Sequence, residues 1–427
     1  MANTLWYASG LNVAQVNTYT FGGTWESSDV INITIGQKTA STTATSTTIA
    51  TIVTALKSFF NNLDEDLYPE FAKITAEDNT ADFVLTADDE GVPFTCTIST
   101  TETGGGAADA QTIDGGTSST GVATTANSGD RNWDTAKNWS TGAAPADTND
   151  LYIDIAEGPI LYGISAADTE LASFNLSAKF RDDIGLPVVN EDGYYEYRDT
   201  YLRVDATTVN IGYAEGPGSR RIKLDLGATD ASTVNVYKTG TPVEDGVPAF
   251  LLKGAHASNL LNIISGSVGV GFFPGETANF PTIRVGNDGN PATDASLFLG
   301  AGVSTITTLH QFGGAIISNA PVTTWNLRDD ATATMYAGAI GTLNVYSGVV
   351  QYKSTATITA LVIHPGAVVD FSRDPRARAC AAITMYKGAT LLDPHVTISG
   401  TPALTLVDCD WDEVTIKAGR GKIWTRN

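Results

Sequence analysis

The chain has 427 residues, enough for two or three domains with a sizeable core. Hydrophobic residues make up 42% and charged residues only 17%, with 42 Gly and few long helical patterns, which indicates β structure with polar, uncharged faces. A formal net charge of −22 leaves no basic stripe for nucleic acid and disfavours anionic membranes, so neither is an expected partner.

The first residues, Met1-Ala2-Asn3-Thr4-Leu5-Trp6, show neither the basic start nor the apolar run of a signal peptide. No apolar run approaches the roughly 18 residues of a membrane span. The three cysteines, Cys96, Cys380 and Cys409, are far apart and odd in number. The expectation is a chain made in a reducing cytoplasm, with two buried free thiols favoured over a Cys380–Cys409 contact between neighbouring rungs.

Residues 1–100 read as a small α+β module. Asp29 to Gly36 alternates as a strand, and Ser46 or Thr47 offers a helix N-cap. Ile49, Ile52, Val53, Leu56, Phe59, Phe60 and Leu63 then follow at helical spacing, the one convincing amphipathic helix in the chain. Strands are predicted at Phe71–Ala76, Asp82–Ala87 and Gly91–Ile98. This order, ending in Gly91-Val92-Pro93-Phe94-Thr95, resembles a module found in structural proteins of tailed bacteriophages. The resemblance covers roughly residues 24–100, implies attachment to a virion and brings no catalytic residues with it.

Residues 101–129 are Gly, Ala, Ser, Thr and Asp, including Gly104-Gly105-Gly106. With almost no large apolar group they predict a linker or extended arm without a core of its own. Residues 130–200 read as a Trp-rich cap and an entry to repeats. Asn132-Trp133-Asp134 and Asn138-Trp139-Ser140, then Gly142, Pro145 and Asp150-Leu151-Tyr152-Ile153, resemble an entry motif ahead of β-helical repeats in bacterial surface proteins and some phage proteins. The two Trp are expected to cover the open end of the first rung. Asn138-Trp139-Ser140 is formally a glycosylation sequon, given little weight in that setting. Gly193 to Arg198 packs Tyr194, Tyr195 and Tyr197 with an Arg, either as a sugar-stacking platform or, the preferred reading, as aromatics covering an inserted loop.

Residues 201–427 carry the repeat. Leu343 to Gly348, Leu361 to Gly366 and Ile383 to Gly388 each alternate apolar with other residues and reach a Gly five positions on. Strands in this frame start at Val209, Val234, Leu261, Ile283, Leu309, Trp325, Leu343, Leu361, Ile383 and Leu404. Asp288 and Asp330 stand in for the turn Gly, and Val414 to Gly419 is a last match. A strand–turn unit at such intervals predicts a right-handed parallel β-solenoid of about ten rungs, on the order of 45–50 Å long. Leu343, Val345, Leu361, Ile363, Ile383 and Met385 are expected to point inward. The fold class is therefore mainly β, an α+β module followed by a solenoid.

Signals for chemistry are sparse. His256, His310, His364 and His395 have no metal-type spacing, and His364 and His395, each beside a Pro, are read as solvated or backbone-bonded. No catalytic, cofactor-binding or metal-binding residue is assigned, and no cofactor is expected. If Asp408, Asp410 and Asp412 lie on one strand they share a face suited to Ca²⁺, although a solvated acidic face is the favoured reading. Asp88-Asp89, Asp182-Asp183 and Asp329-Asp330 are adjacent in sequence, which on a strand points them to opposite faces. Together the resemblances imply a non-enzymatic structural protein of a tailed-phage virion, a head decoration or fibre-like protein or a tail-associated one. A homotrimer in contact with capsid or tail proteins is expected. The alternatives are a tailspike that binds or cleaves host surface glycan and a bacterial surface adhesin.

Overall fold

The computed structural model describes residues 3–103, 110–154, 158–163 and 169–419. Most of the chain winds through two long parallel sheets, one of 14 strands and one of 11, in a β-solenoid-like architecture. The ten strand starts read from the sequence are successive register partners in the longer sheet, from Val209↔Val234 to Ile383↔Leu404. All ten are buried, as are Val345, Ile363 and Met385 two positions further on. Alternation explains this: in each strand the first and third residues of the frame face the core and the second faces out.

After each strand the chain turns into the shorter sheet. Gly348, at φ 86°, shows why the turn takes Gly, since a Cβ there would lie 2.2 Å from the Ala331 carbonyl oxygen. Asp330 adopts φ 55° at the equivalent place, in line with its tolerance of the left-handed region. At the Ile283 level Gly286, at φ 70°, takes the left-handed backbone that follows the strand, and Asp288 lies just beyond it in a tight turn closed between Asn287 and Asn290. The last match needs correction, since Thr415–Ala418 pairs with Thr390–Asp393 and belongs to the shorter sheet.

Regular stacking begins well before residue 201. Asp150–Ile153 and Glu170–Ser177 add two levels to the longer sheet, and the edge strand is Asn3–Leu5, parallel to Asp150–Ile153. Thirteen strands therefore follow one another along that sheet, a stack roughly 60 Å long at about 4.8 Å per level. Trp133 and Trp139 are buried at this end as expected, joined by Trp6, which the sequence reading did not single out. The Trp6 and Trp133 rings meet Trp139 edge-on at 4.9 and 4.8 Å, and the Trp139 indole N–H donates to the Trp133 carbonyl at 2.7 Å.

A second core lies between these first levels in sequence. It gathers the helix Ile49–Asn61 through Ile52, Val53, Leu56 and Phe60, packed against residues of two antiparallel sheets. Strands Val16–Gly22 and Lys38–Thr43 are additions to the expected set. Residues 91–94 precede the strand Cys96–Thr101 rather than belonging to it. The helix N-cap is Thr48, without a side-chain cap bond, not Ser46 or Thr47. The described part of residues 101–129 is not a free arm, and Gly104-Gly105-Gly106 lies outside the described residues. Thr112–Ile113 and Val122–Thr125 pair with Val16–Gly22, and Ser118–Ser119 pairs with Cys96–Thr101. Backbone pairing needs no large side chain, and Ile113, buried in the second core, anchors the segment, which is why composition misled here.

Candidate functional site: a cleft between the two cores

The N-terminal unit is an insertion between the first and second levels of the solenoid. The chain leaves and returns side by side. Tyr7 N donates to the Asn138 carbonyl at 2.7 Å and Val13 N to the Ser128 carbonyl at 2.8 Å. Asn138 is fully buried, its Oδ1 accepting from Gly10 N at 2.6 Å and its Nδ2 donating to the Gly129 and Asn132 carbonyls at 2.8 Å. The sequon asparagine is thus a structural clasp. Asn132 Nδ2 donates to the Gly91 carbonyl at 3.2 Å, and Asp130 N donates to Asn12 Oδ1 at 3.1 Å, which fixes the loop around Gly91 against the crossing.

The segment 186–198 reaches back across this junction from the solenoid. Asp192 pairs with Lys73 of the N-terminal unit at 3.6 Å. Tyr197 packs against that unit's core, beside Gly36, where a Cβ would come within 2.6 Å of the Tyr197 Cβ. The space left between is a cleft of about 630 Å³, lined from one side by Asn12, Asp89 and Glu90 and from the other by Glu191, Tyr194 and Arg198, among others. Its size falls within the range of small-molecule sites, and domain junctions are where such sites collect.

Ion pairs frame it. Arg198 makes a bidentate pair with Glu196, both bonds at 2.7 Å, and lies 5.3 Å from the Tyr162 and Tyr197 ring centres. Arg221 meets Asp183 at 2.9 Å and Arg131 approaches Asp130 at 4.0 Å. Burial raises the Asp183 pKa above the ordinary carboxylate value, with Arg221 opposing the shift. Of the three tyrosines, Tyr197 alone packs as the preferred reading expected, against the core of the N-terminal unit, and the rings of Tyr162 and Tyr197 are engaged by Arg198. Tyr195 is 76% exposed.

The other sequence candidates are dispersed. The strand Ala403–Val407 stops before Asp408, which takes φ 52°, and Asp410 caps the short 3-10 turn Trp411–Glu413. Asp408, Asp410 and Asp412 therefore do not share a strand face. Glu413 pairs with Lys387 at 2.7 Å. Asp329 and Asp330 both lie in a tight turn at positive φ. All three cysteines are free, Cys96 and Cys380 buried and Cys409 half-buried. Among the described residues no group of three or more His, Cys, Asp and Glu side chains is arranged to hold a metal ion.

Two outward columns were missed. Asn175, Asn210, Asn235 and Asn262 form a ladder in which the Nδ2 of each of the last three donates to the Oδ1 one level back, at 2.8, 3.0 and 2.9 Å. Asn344 and Asn326 repeat it at 2.8 Å. The apolar–Asn–apolar triplets at each level were the available signal. His364, expected to be solvated or backbone-bonded, is sandwiched between Tyr346 at 4.3 Å and Tyr386 at 4.5 Å, nearly parallel to both. Arg328 covers the far face of the stack at 3.9 Å from Tyr346. No family model, curated protein or solved structure matches this chain.

Proposed function

We propose that this protein is a non-enzymatic structural component of a tailed-phage virion, a head decoration or fibre-like protein in which the solenoid projects and the N-terminal unit attaches. The observation that carries this reading is the uninterrupted stack of thirteen strands clasped at one end to a separately cored unit through both chain crossings. Such a body is a stiff spacer with one docking end. The resemblance of residues 24–100 to phage structural modules supports reading that unit as the docking end. A homotrimer suits the symmetry of closed particle assemblies. The winding is right-handed, because parallel crossovers are so in nearly all cases.

Glycan recognition, as in a tailspike, is the second reading, and less favoured. Several of the rings that a sugar could stack on are engaged: Arg198 lies over Tyr162 and Tyr197, and Arg328, Tyr346, His364 and Tyr386 stack on one another. The test is electron microscopy of the phage particles encoding this chain, with the protein labelled. Label at regular positions on the head or tail, lost when residues 14–127 are removed, is the expected result. Release of reducing ends from host polysaccharide by the purified protein, abolished by Asp183→Asn, would replace this reading by the tailspike one.

A further inference from the structure

The outer face of the longer sheet is bare of negative charge. None of the chain's 47 Asp and Glu lies in the nine successive strands from Thr233–Val236 to Ala403–Val407. Strands disfavour Asp and Asn alike, yet Asn235, Asn262, Asn326 and Asn344 recur along this face, so strand propensity does not account for the missing acids. The outward charged side chains of these strands are Arg284 and Arg328, and neither meets a carboxylate among the described residues. No loop covers the face. Its outward residues are all half-buried or exposed, whereas the outward Lys223 and Leu251 of the shorter sheet are buried. The turns that leave these strands hold the opposite charge. Asp288, Asp329, Asp330 and Asp408 are exposed there, and their carboxylates have no hydrogen bond or ion pair among the described residues.

We propose that copies of this chain meet here, the acidic row of turns of one copy lying against the outer face of the longer sheet of the next. The contact rests on the homotrimer of the proposed function and names its two surfaces, which differ, as a closed ring of three requires. Rotation about an axis parallel to the stack keeps every level at its own height. Asp288 of one copy therefore arrives level with Arg284 of the next, and Asp329 and Asp330 arrive level with Arg328. Both unpaired arginines gain a carboxylate, and no acid of the face opposes the incoming ones. The size suits a stable contact. Nine strands about 4.8 Å apart, each about five residues wide, make a flat face of roughly 700 Å², close to the roughly 800 Å² that each partner buries in a stable complex. Pairing the same face of two copies would fit less well, since it sets Arg284 and Arg328 against a surface with no acid. An anionic polymer would meet the flanking carboxylates.

The experiment is sedimentation equilibrium of the full chain and its variants. The parent is expected to have the mass of three copies. Arg284→Glu/Arg328→Glu should raise the concentration at which the trimer half-dissociates by about tenfold or more, because it sets like charges against each other. Arg284→Glu alone should weaken the trimer less, and Arg284→Glu/Asp288→Lys, which exchanges the two charges, should recover most of that loss. Thr334→Glu/Gln351→Glu, which places acids on the outer face of the shorter sheet, should leave the mass unchanged. Circular dichroism of each variant excludes a folding defect, and Arg284→Glu with its charge exchange serves alone if loss of Arg328 from its place over Tyr346 unfolds the chain. A trimer that withstands both arginine substitutions, or that the shorter-sheet variant dissociates, would overturn the contact and leave the homotrimer standing. A parent that stays monomeric would overturn both, while the place on a virion is decided separately by the labelled particles.

Discussion

Lys223 occupies an outward position of the shorter sheet, between the core residues Ile222 and Leu224, yet it is fully buried. Gly185 packs against its stem and the Phe273 ring lies 5.5 Å from its Nζ, which has no hydrogen-bond partner among the described residues. Burial lowers its pKa from 10.5 to about 8. The unfolded chain therefore holds this proton more tightly than the fold does. The contribution of Lys223 to stability is complete above pH 10.5 and is lost as pH falls through about 8. At roughly 1.4 kcal/mol per pH unit the penalty at neutral pH is on the order of 3 kcal/mol. Lys223→Met is expected to raise stability at pH 7 by about 1–3 kcal/mol and to remove the gain that the parent shows between pH 8 and 10. Urea denaturation at several pH values measures both. Gln311 is the opposite case, a fully buried amide in an otherwise aliphatic column. It is satisfied by the Trp325 indole N–H at 3.3 Å and by the Gly314 and Thr332 carbonyls at 3.2 and 2.9 Å.

At the level of strands, the columns that repeat carry the order of the solenoid, each in its own way. The inward columns are mostly aliphatic, and their packing is non-directional. The asparagine ladder is directional, each amide donating to the one before it, so it fixes register between levels. The Tyr346–His364–Tyr386 stack does so with ring faces, and it contains a titratable member. Burial first, then Arg328, depress the His364 pKa below its ordinary value. Stability tied to His364 is therefore complete above the unfolded value near 6.5 and is lost as pH falls through the lower folded one. His364→Tyr keeps a planar ring in the stack without that titration. Its melting temperature is expected to fall less than the parent's between pH 7 and 5, while the many carboxylates affect both proteins alike. The inward residues were legible because alternation and a Gly at fixed offset depend only on local sequence. The stack and the ladder were not, because they depend on which level lies next to which. Once Leu343, Leu361 and Ile383 are aligned, Tyr346, His364 and Tyr386 fall into one column. Trp6 was missed for a stronger reason, since its neighbours Trp133 and Trp139 are more than a hundred residues away. The cleft shares that origin, as Asp89, Asp130 and Glu191 come together only through the fold.

For the whole molecule, the insertion of one unit between the first two levels of another has a testable consequence. Val13 and Ser128 are bonded neighbours across the crossing. Excising residues 14–127 and bridging the gap with two or three glycines is therefore expected to leave a solenoid that folds and melts cooperatively, with its Trp cap in place. Circular dichroism of the excised protein, together with the quenching of its Trp fluorescence, checks this. A scrambled or non-cooperative product would mean that the unit is required to hold the end shut. The clasp also bears on the order of events during synthesis. Asn3–Leu5 leaves the ribosome well before its seat, which is made of residues that emerge much later. Thr4 Oγ1 bonds Asn149 Oδ1 across 145 residues of chain, whereas the Asn344–Asn326 bond spans 18. Closing the longer loop costs about 2 kcal/mol more in chain entropy, since each doubling adds roughly 0.6. If residues 13–128 fold first they bring their own ends together, and the loop that remains to be closed shrinks to a few tens of residues. The waiting strand is then held close to where its partner will appear, so the folding of the inserted unit sets when the end of the solenoid can close.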